Sequence, residues 1–158
     1  MRVRRQPLPQ VLAVIALLAF GSGSASPAAA VDEAQSLQRL IDELTHALGL
    51  HAHVRARLVP ANALLVSVEP MSDRRQFDLS FQQSFLAGLT DEDVRTIVAH
   101  ELGHVWIFTH HPYLQTERLA NDIALRVVTR ESLARVYDKV WAVRGVKGDL
   151  ERFLPAPR

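Results

Sequence analysis

The chain has 158 residues, of which 48% are hydrophobic and 22% charged, with 18 basic against 17 acidic side chains and no cysteine. These values describe a single globular domain and exclude a disordered chain or a strongly basic nucleic-acid binder. The lack of cysteine excludes disulfides and a lipid-modified cysteine anchor, and leaves histidine and carboxylate as ligands for any metal.

Residues 1–30 read as a signal peptide. Arg2, Arg4 and Arg5 form a positive segment, Val11 to Phe20 an apolar one, and Ser24-Ala25-Ser26 or Ala28-Ala29-Ala30 offers small residues for cleavage. The apolar run ends at Gly21-Ser22-Gly23, short of the roughly 20 residues that span a bilayer. The expectation is an exported domain over 31–158, periplasmic or secreted, that meets the membrane only through its leader. Loss of the three arginines leaves that domain slightly negative.

Leu37, Leu40, Ile41, Leu44 and Leu48 predict a first helix over 32–50, with Gly49 as a candidate C-cap. His46, His51 and His53 lie close enough in sequence to suggest a second metal group. Strands are predicted over 53–59, 64–69 and 77–81, with Pro60-Ala61-Asn62 as a turn and Phe77, Leu79 and Phe81 alternating along the third. A short helical turn over 82–86 follows. A small sheet thus precedes the next helix, and one of its edge strands would let an extended peptide add through backbone hydrogen bonds.

Thr90 is a candidate N-cap, Asp91, Glu92 and Asp93 load the first turn with negative charge, and Asp93 occupies the capping-box position. Val94, Ile97, Val98, Leu102 and Val105 recur at helical spacing, so a helix is predicted that runs through Phe108 and stops before Pro112. It carries His100-Glu101-Leu102-Gly103-His104. Side chains four apart lie about 40° from each other around the axis and one turn along it, so His100 and His104 can hold one ion. Glu101, about 60° from His104, can reach a water on that ion without becoming a ligand. On a helical wheel Glu101 falls inside the apolar arc, the two histidines border it, and Gly103 points the opposite way. A carboxylate facing a core calls for a compensating cation.

A catalytic zinc keeps three protein ligands and one open position. His110, His111 and Glu117 are the candidates for the third ligand. The histidines lie six and seven residues beyond His104, where reaching back needs an immediate reversal. Glu117 is better placed, opening a helix that can return antiparallel, with the small residues Ala120 and Ala124 on its inner face. Asn121, one turn on, can accept the outer N–H of a ligand imidazole. Leu119, Ile123, Val127 and Val128 continue the period; Leu133, Val136, Val140 and Trp141 extend it in a further helix or a continuation ending at Gly145. The tail, with Pro155 and Pro157, is expected to fray. Tyr113 and Tyr137 are candidate donors to a developing oxyanion.

His100-Glu101-Leu102-Gly103-His104, followed by Glu117-x-x-Ala120-Asn121-x-x-Ala124, resembles the gluzincin class of zinc metallopeptidases, whose third ligand is a glutamate on the next helix. Asn62-Ala63, the 77–80 strand and Leu89-Thr90-Asp91-Glu92 are similar to the small catalytic domains of HtpX-like peptidases. The Glu-x-x-Ala-Asn form resembles the ImmA/IrrE type, HtpX-like members commonly carrying Asp where this chain has Asn121. The resemblance covers roughly Val54 to Val128. It implies an α+β, zincin-like (minigluzincin) domain: an N-terminal helix, a three-stranded sheet, the HExxH helix and a glutamate-bearing helix. It also implies one Zn2+ on His100, His104 and Glu117, a peptide or protein substrate, and hydrolysis with Glu101 as general base. The alternative is a non-catalytic, zinc-stabilised binding or regulatory module that retains the same site.

Overall fold

The computed structural model describes residues 27–72 and 75–154. Most of the leader read over 1–30 lies outside these residues, as do the final prolines. Helix α1 (Pro27–Ala47) starts within the last residues of that leader and ends at Gly49, whose φ of 67° lets the chain turn into the sheet. No helix among the described residues is long and apolar enough to cross a membrane.

The fold is α+β, with one sheet of three strands: β1 (His53–Val59), β2 (Val66–Pro70) and β3 (Gln76–Gln82). β3 is central, with β1 parallel on one side and β2 antiparallel on the other. The second strand starts two residues later than its pattern predicts. Leu65 adopts a φ of 69° and donates its N–H to the Asn62 carbonyl, so it belongs to the turn. Phe77, Leu79 and Phe81 alternate into the core with Ile41 and Leu44 of α1. Each such side chain contributes about 1.5–3 kcal/mol over its exposed state. On the other face Asp78 pairs with Arg55 and Arg57 at 2.8 and 2.9 Å. Burial opposes ionisation of Asp78, but the two guanidinium groups outweigh it and hold its pKa below the ordinary value.

After α2 (Gln83–Leu86), helix α3 (Asp91–His110) crosses the sheet, with Val98, Leu102 and Val105 fully buried. A single 3-10 turn at Pro112–Leu114 reverses the chain into α4 (Glu117–Ala124). The apolar period continues through Val128, but the helix does not. Tight i→i+3 bonds at Arg126 and Val127 close it, and the Thr129 side chain, accepting from the Ser132 N–H, starts α5 (Arg130–Arg144). Gly145, at φ 62°, ends α5. The described part of the tail does not fray. Residues 150–153 form α6 (Leu150–Phe153), and Leu154 is 1% exposed in the main core.

Asp93 does more than cap. It completes the predicted capping box with Thr90, and its buried carboxylate also takes Arg135 at 3.1 Å and Lys139 at 2.6 Å from α5. Burial alone would raise its pKa; Lys139, Thr90 and Arg135 together push it far below the carboxylate range. A depressed folded-state pKa contributes stability that is complete above the unfolded value, about 4, and is lost as the pH falls below it. Asp93→Asn should therefore lower stability at pH 7 by about 2 kcal/mol, reduced from a fully buried pair because both partners are partly exposed. In urea melts the variant should also lose less stability below about pH 4 than wild type does. Parallel acid-side curves for the two proteins would refute this role.

Candidate metal centre

Helix α3 presents its histidines as the four-residue spacing requires. The imidazole centroids of His100 and His104 lie 4.9 Å apart with their planes at 85°. Glu117, at the first position of α4, reaches both: its Oε2 is 3.3 Å from His100 Nε2 and its Oε1 3.5 Å from His104 Nε2. One ligand atom from each of the three lies within 4.8 Å of the others.

This convergence depends on how closely α4 approaches α3. A Cβ on Gly103 would stand 2.4 Å from the carbonyl oxygen of Ala120. Glycine is therefore required there, and the small Ala120 and Ala124 of α4 are both fully buried. Gly103 does point away from the sheet, as the wheel indicates, yet it is buried. α3 packs on two faces, one against the sheet and one against α4. A glycine inside a helix costs about 1 kcal/mol relative to alanine, and that penalty was the signal for the close contact.

The outer nitrogens of both imidazoles are engaged. His100 Nδ1 donates to Asn121 Oδ1 at 2.7 Å, as predicted, and His104 Nδ1 to Gln115 Oε1 at 3.1 Å, which was not. Gln115 turns its amide N–H to the His104 carbonyl at 3.2 Å, so its oxygen must face the ring. Its signal is weak: an amide in the loop joining two ligand helices. Tyr137, from α5, accepts from Asn121 Nδ2 at 2.8 Å, donates to Glu117 Oε2 at 3.4 Å and lies edge-on to the His100 ring. Nε2 of each ring is thus the nitrogen directed at the Glu117 carboxylate; in the neutral, Nδ1-protonated tautomer it offers the lone pair that a borderline divalent ion such as Zn2+ takes.

The electrostatics agree. Hydrogen bonds from His100 and His104 hold the Glu117 carboxyl well below the usual range, outweighing its partial burial. Burial would lower His104, but Glu117 and Gln115 raise its pKa above the ordinary value. Glu101 goes the other way: burial and the Glu117 charge raise it, against the two imidazoles and the Val68 backbone N–H, which donates to its carboxylate. Burial, ahead of the Glu117 charge, also raises the Tyr137 phenol.

Around these groups opens a cleft of about 730 Å³. Val66 and Val68 of the edge strand β2 line one side and Val136, Val140 and Trp141 of α5 another. The other candidates are elsewhere. Tyr113 is 98% exposed. His110 stacks on Trp106 with centroids 4.3 Å apart, and His111 packs against the same indole. His46, His51 and His53 are exposed and join no metal-ligand group among the described residues.

No protein-family model matches this sequence, and no curated protein matches it either. The fold does have a counterpart. The chain superposes on the crystal structure of the metallopeptidase zymogen abylysin of Pyrococcus abyssi with a TM-score of 0.52 and 17% identity, covering 72% of this chain and 99% of that one. The two share a fold, and the expected α+β metallopeptidase-like architecture is present.

The α3–α4 contact gives a direct test. Gly103→Ala should lower stability by about 1–3 kcal/mol through overpacking and should pull Glu117 away from the histidines. Thermal melts and bound-metal content measured together would check it. Unchanged metal content would mean that the spacing of the two helices does not control the site.

Proposed function

We propose that the chain is an exported zinc-dependent metallopeptidase of gluzincin type. In this reading His100, His104 and Glu117 hold one Zn2+, Asn121 and Gln115 orient the histidines, and Glu101 is the general base. The observation that carries it is the convergence of two imidazole Nε2 atoms and a carboxylate beside the partly buried carboxylate of Glu101, which forms no ion pair with a lysine or arginine among the described residues. Two nitrogen donors favour zinc over magnesium or calcium. The histidine-glutamate spacing supports a place near ImmA/IrrE-type peptidases, and the elements preceding α3 one near HtpX-like domains. The leader read over 1–30 supports export to the periplasm or the medium.

When bound, the ion supplies Lewis acidity to a scissile carbonyl and to the attacking water. The residues do the rest. The outer edge of β2 offers backbone groups to an extended peptide, and the apolar cleft walls take a large apolar side chain next to the scissile bond. Glu101, whose carboxyl burial pushes above its ordinary value, takes a proton from the water and passes it to the leaving amine. Tyr137 would donate to the oxygen that gains charge by turning its O–H from Glu117 Oε2.

The test is incubation of the purified chain with a mixed peptide library, with and without chelator. Cleavage should depend on zinc and favour bonds flanked by large apolar residues. Glu101→Gln should keep the metal and slow cleavage by about 10²–10⁴-fold, while Glu117→Ala should lower zinc occupancy. Zinc binding without any cleavage would leave the alternative, a binding or regulatory module built on the same site. Cleavage by Glu101→Gln at the wild-type rate would remove Glu101 as the base.

A further inference from the structure

Asn121 is fully buried, and its amide makes three hydrogen bonds: Oδ1 to His100 Nδ1, and Nδ2 to the Tyr137 hydroxyl and to the main-chain carbonyl of Phe153 at 2.9 Å. An amide can turn over, exchanging its oxygen and nitrogen. The Tyr137 hydroxyl does not oppose this, because a hydroxyl both donates and accepts. The Phe153 carbonyl only accepts, so it admits one orientation. In the other, Nδ2 would face His100 Nδ1, which would then carry the lone pair. The ring proton would move to Nε2, the atom directed at Glu117.

We propose that the C-terminal segment over 148–154 positions His100: the Phe153 carbonyl holds the Asn121 amide in one orientation, and that orientation fixes the imidazole tautomer that can bind metal. The inference rests on His100 being a metal ligand. The segment is built to reach this point. Gly148 lies flat on Trp141, where a Cβ would meet the indole at 2.0 Å. The Phe153 ring stacks on Tyr137, with centroids 5.5 Å apart and planes at 22°. Leu154 anchors the end in the core. It also explains asparagine at position 121. Aspartate would still accept from His100 Nδ1, but has no N–H for the Phe153 carbonyl. Docking of the segment and binding of metal are then one linked equilibrium, each favouring the other equally.

The experiment compares the full chain with one ending at Lys147. In the metal-free proteins, ¹⁵N spectra of the imidazoles above the histidine titration should show His100 as the Nδ1–H form in the full chain and a mixture of tautomers in the shortened one. Zinc affinity should fall about tenfold. The same tautomer and the same affinity in both would overturn the proposal. Asn121→Asp separates positioning from simple loss of structure. In that background the shortening should change zinc affinity less than about twofold, whereas a loss as large as in wild type would show that the segment does not act through the amide. Should the shortened chain not fold, the intact chain decides: saturating zinc should slow hydrogen exchange of the Leu154 amide, which donates to the Leu150 carbonyl, and unchanged exchange would overturn the linkage. Failure of the full chain to bind zinc would instead overturn the proposed function, while the tautomer comparison would still stand.

Discussion

The contact between Gly103 and the Ala120 carbonyl is the constraint from which the rest of the site follows. The spacing of two histidines on α3 fixes only where two ligand atoms lie; the third comes from a different helix, and its position depends on how near that helix can lie. With a side chain at 103, the Ala120 backbone could not occupy its place, 2.4 Å from where a Cβ would be. With hydrogen there, Glu117 stands one turn before Ala120 and reaches both imidazoles. The helix penalty of a glycine is thus offset by a geometry that no larger residue permits.

The two histidines are oriented by the same device. Each outer nitrogen meets an amide oxygen, and each amide has its N–H side held by a main-chain carbonyl: that of His104 for Gln115, that of Phe153 for Asn121. The difference is where the carbonyl comes from. Gln115 uses the backbone of the residue it serves, so its arrangement is local to α3 and the loop after it. Asn121 uses the backbone of a residue 32 positions away. One histidine is held within a short stretch of chain, and the other by an amide that also bonds the C-terminal segment.

Much of this was legible in the sequence, and what was not has physical causes. The capping box at Thr90 and Asp93, the alternation along 77–81 and the helical spacing of the ligand residues are short-range patterns, and they appear where they were read. Glu117 could be placed because a loop of known length and two inward alanines restrict where its helix can go. Gln115 and the Phe153 carbonyl could not. The Gln115 contact is local, but an amide in a loop is too common to single out; the Phe153 contact joins segments 32 residues apart, and a backbone carbonyl carries no signature of its own. The expectation of a frayed tail, read from Pro155 and Pro157, failed over its described part for the same long-range reason: Leu154 is seated in the core and Phe153 stacks on Tyr137.

The two halves of the centre also face different parts of the molecule. Glu101 looks toward the sheet, taking the Val68 N–H from the edge strand, and burial there raises its affinity for a proton. Glu117 and the outer faces of the histidines look toward α4, α5 and the C-terminal segment, where hydrogen bonds keep the carboxylate ionised. The two nearby carboxylates thus shift in opposite directions, the difference that the proposed roles of acid–base group and ligand would call for. Asp93 joins α3 to α5 at the far end of the same helix, so the ion pairs that bring Tyr137 over Glu117 do not involve the metal ligands. The α3–α5 contact is therefore made by side chains separate from those that would hold an ion.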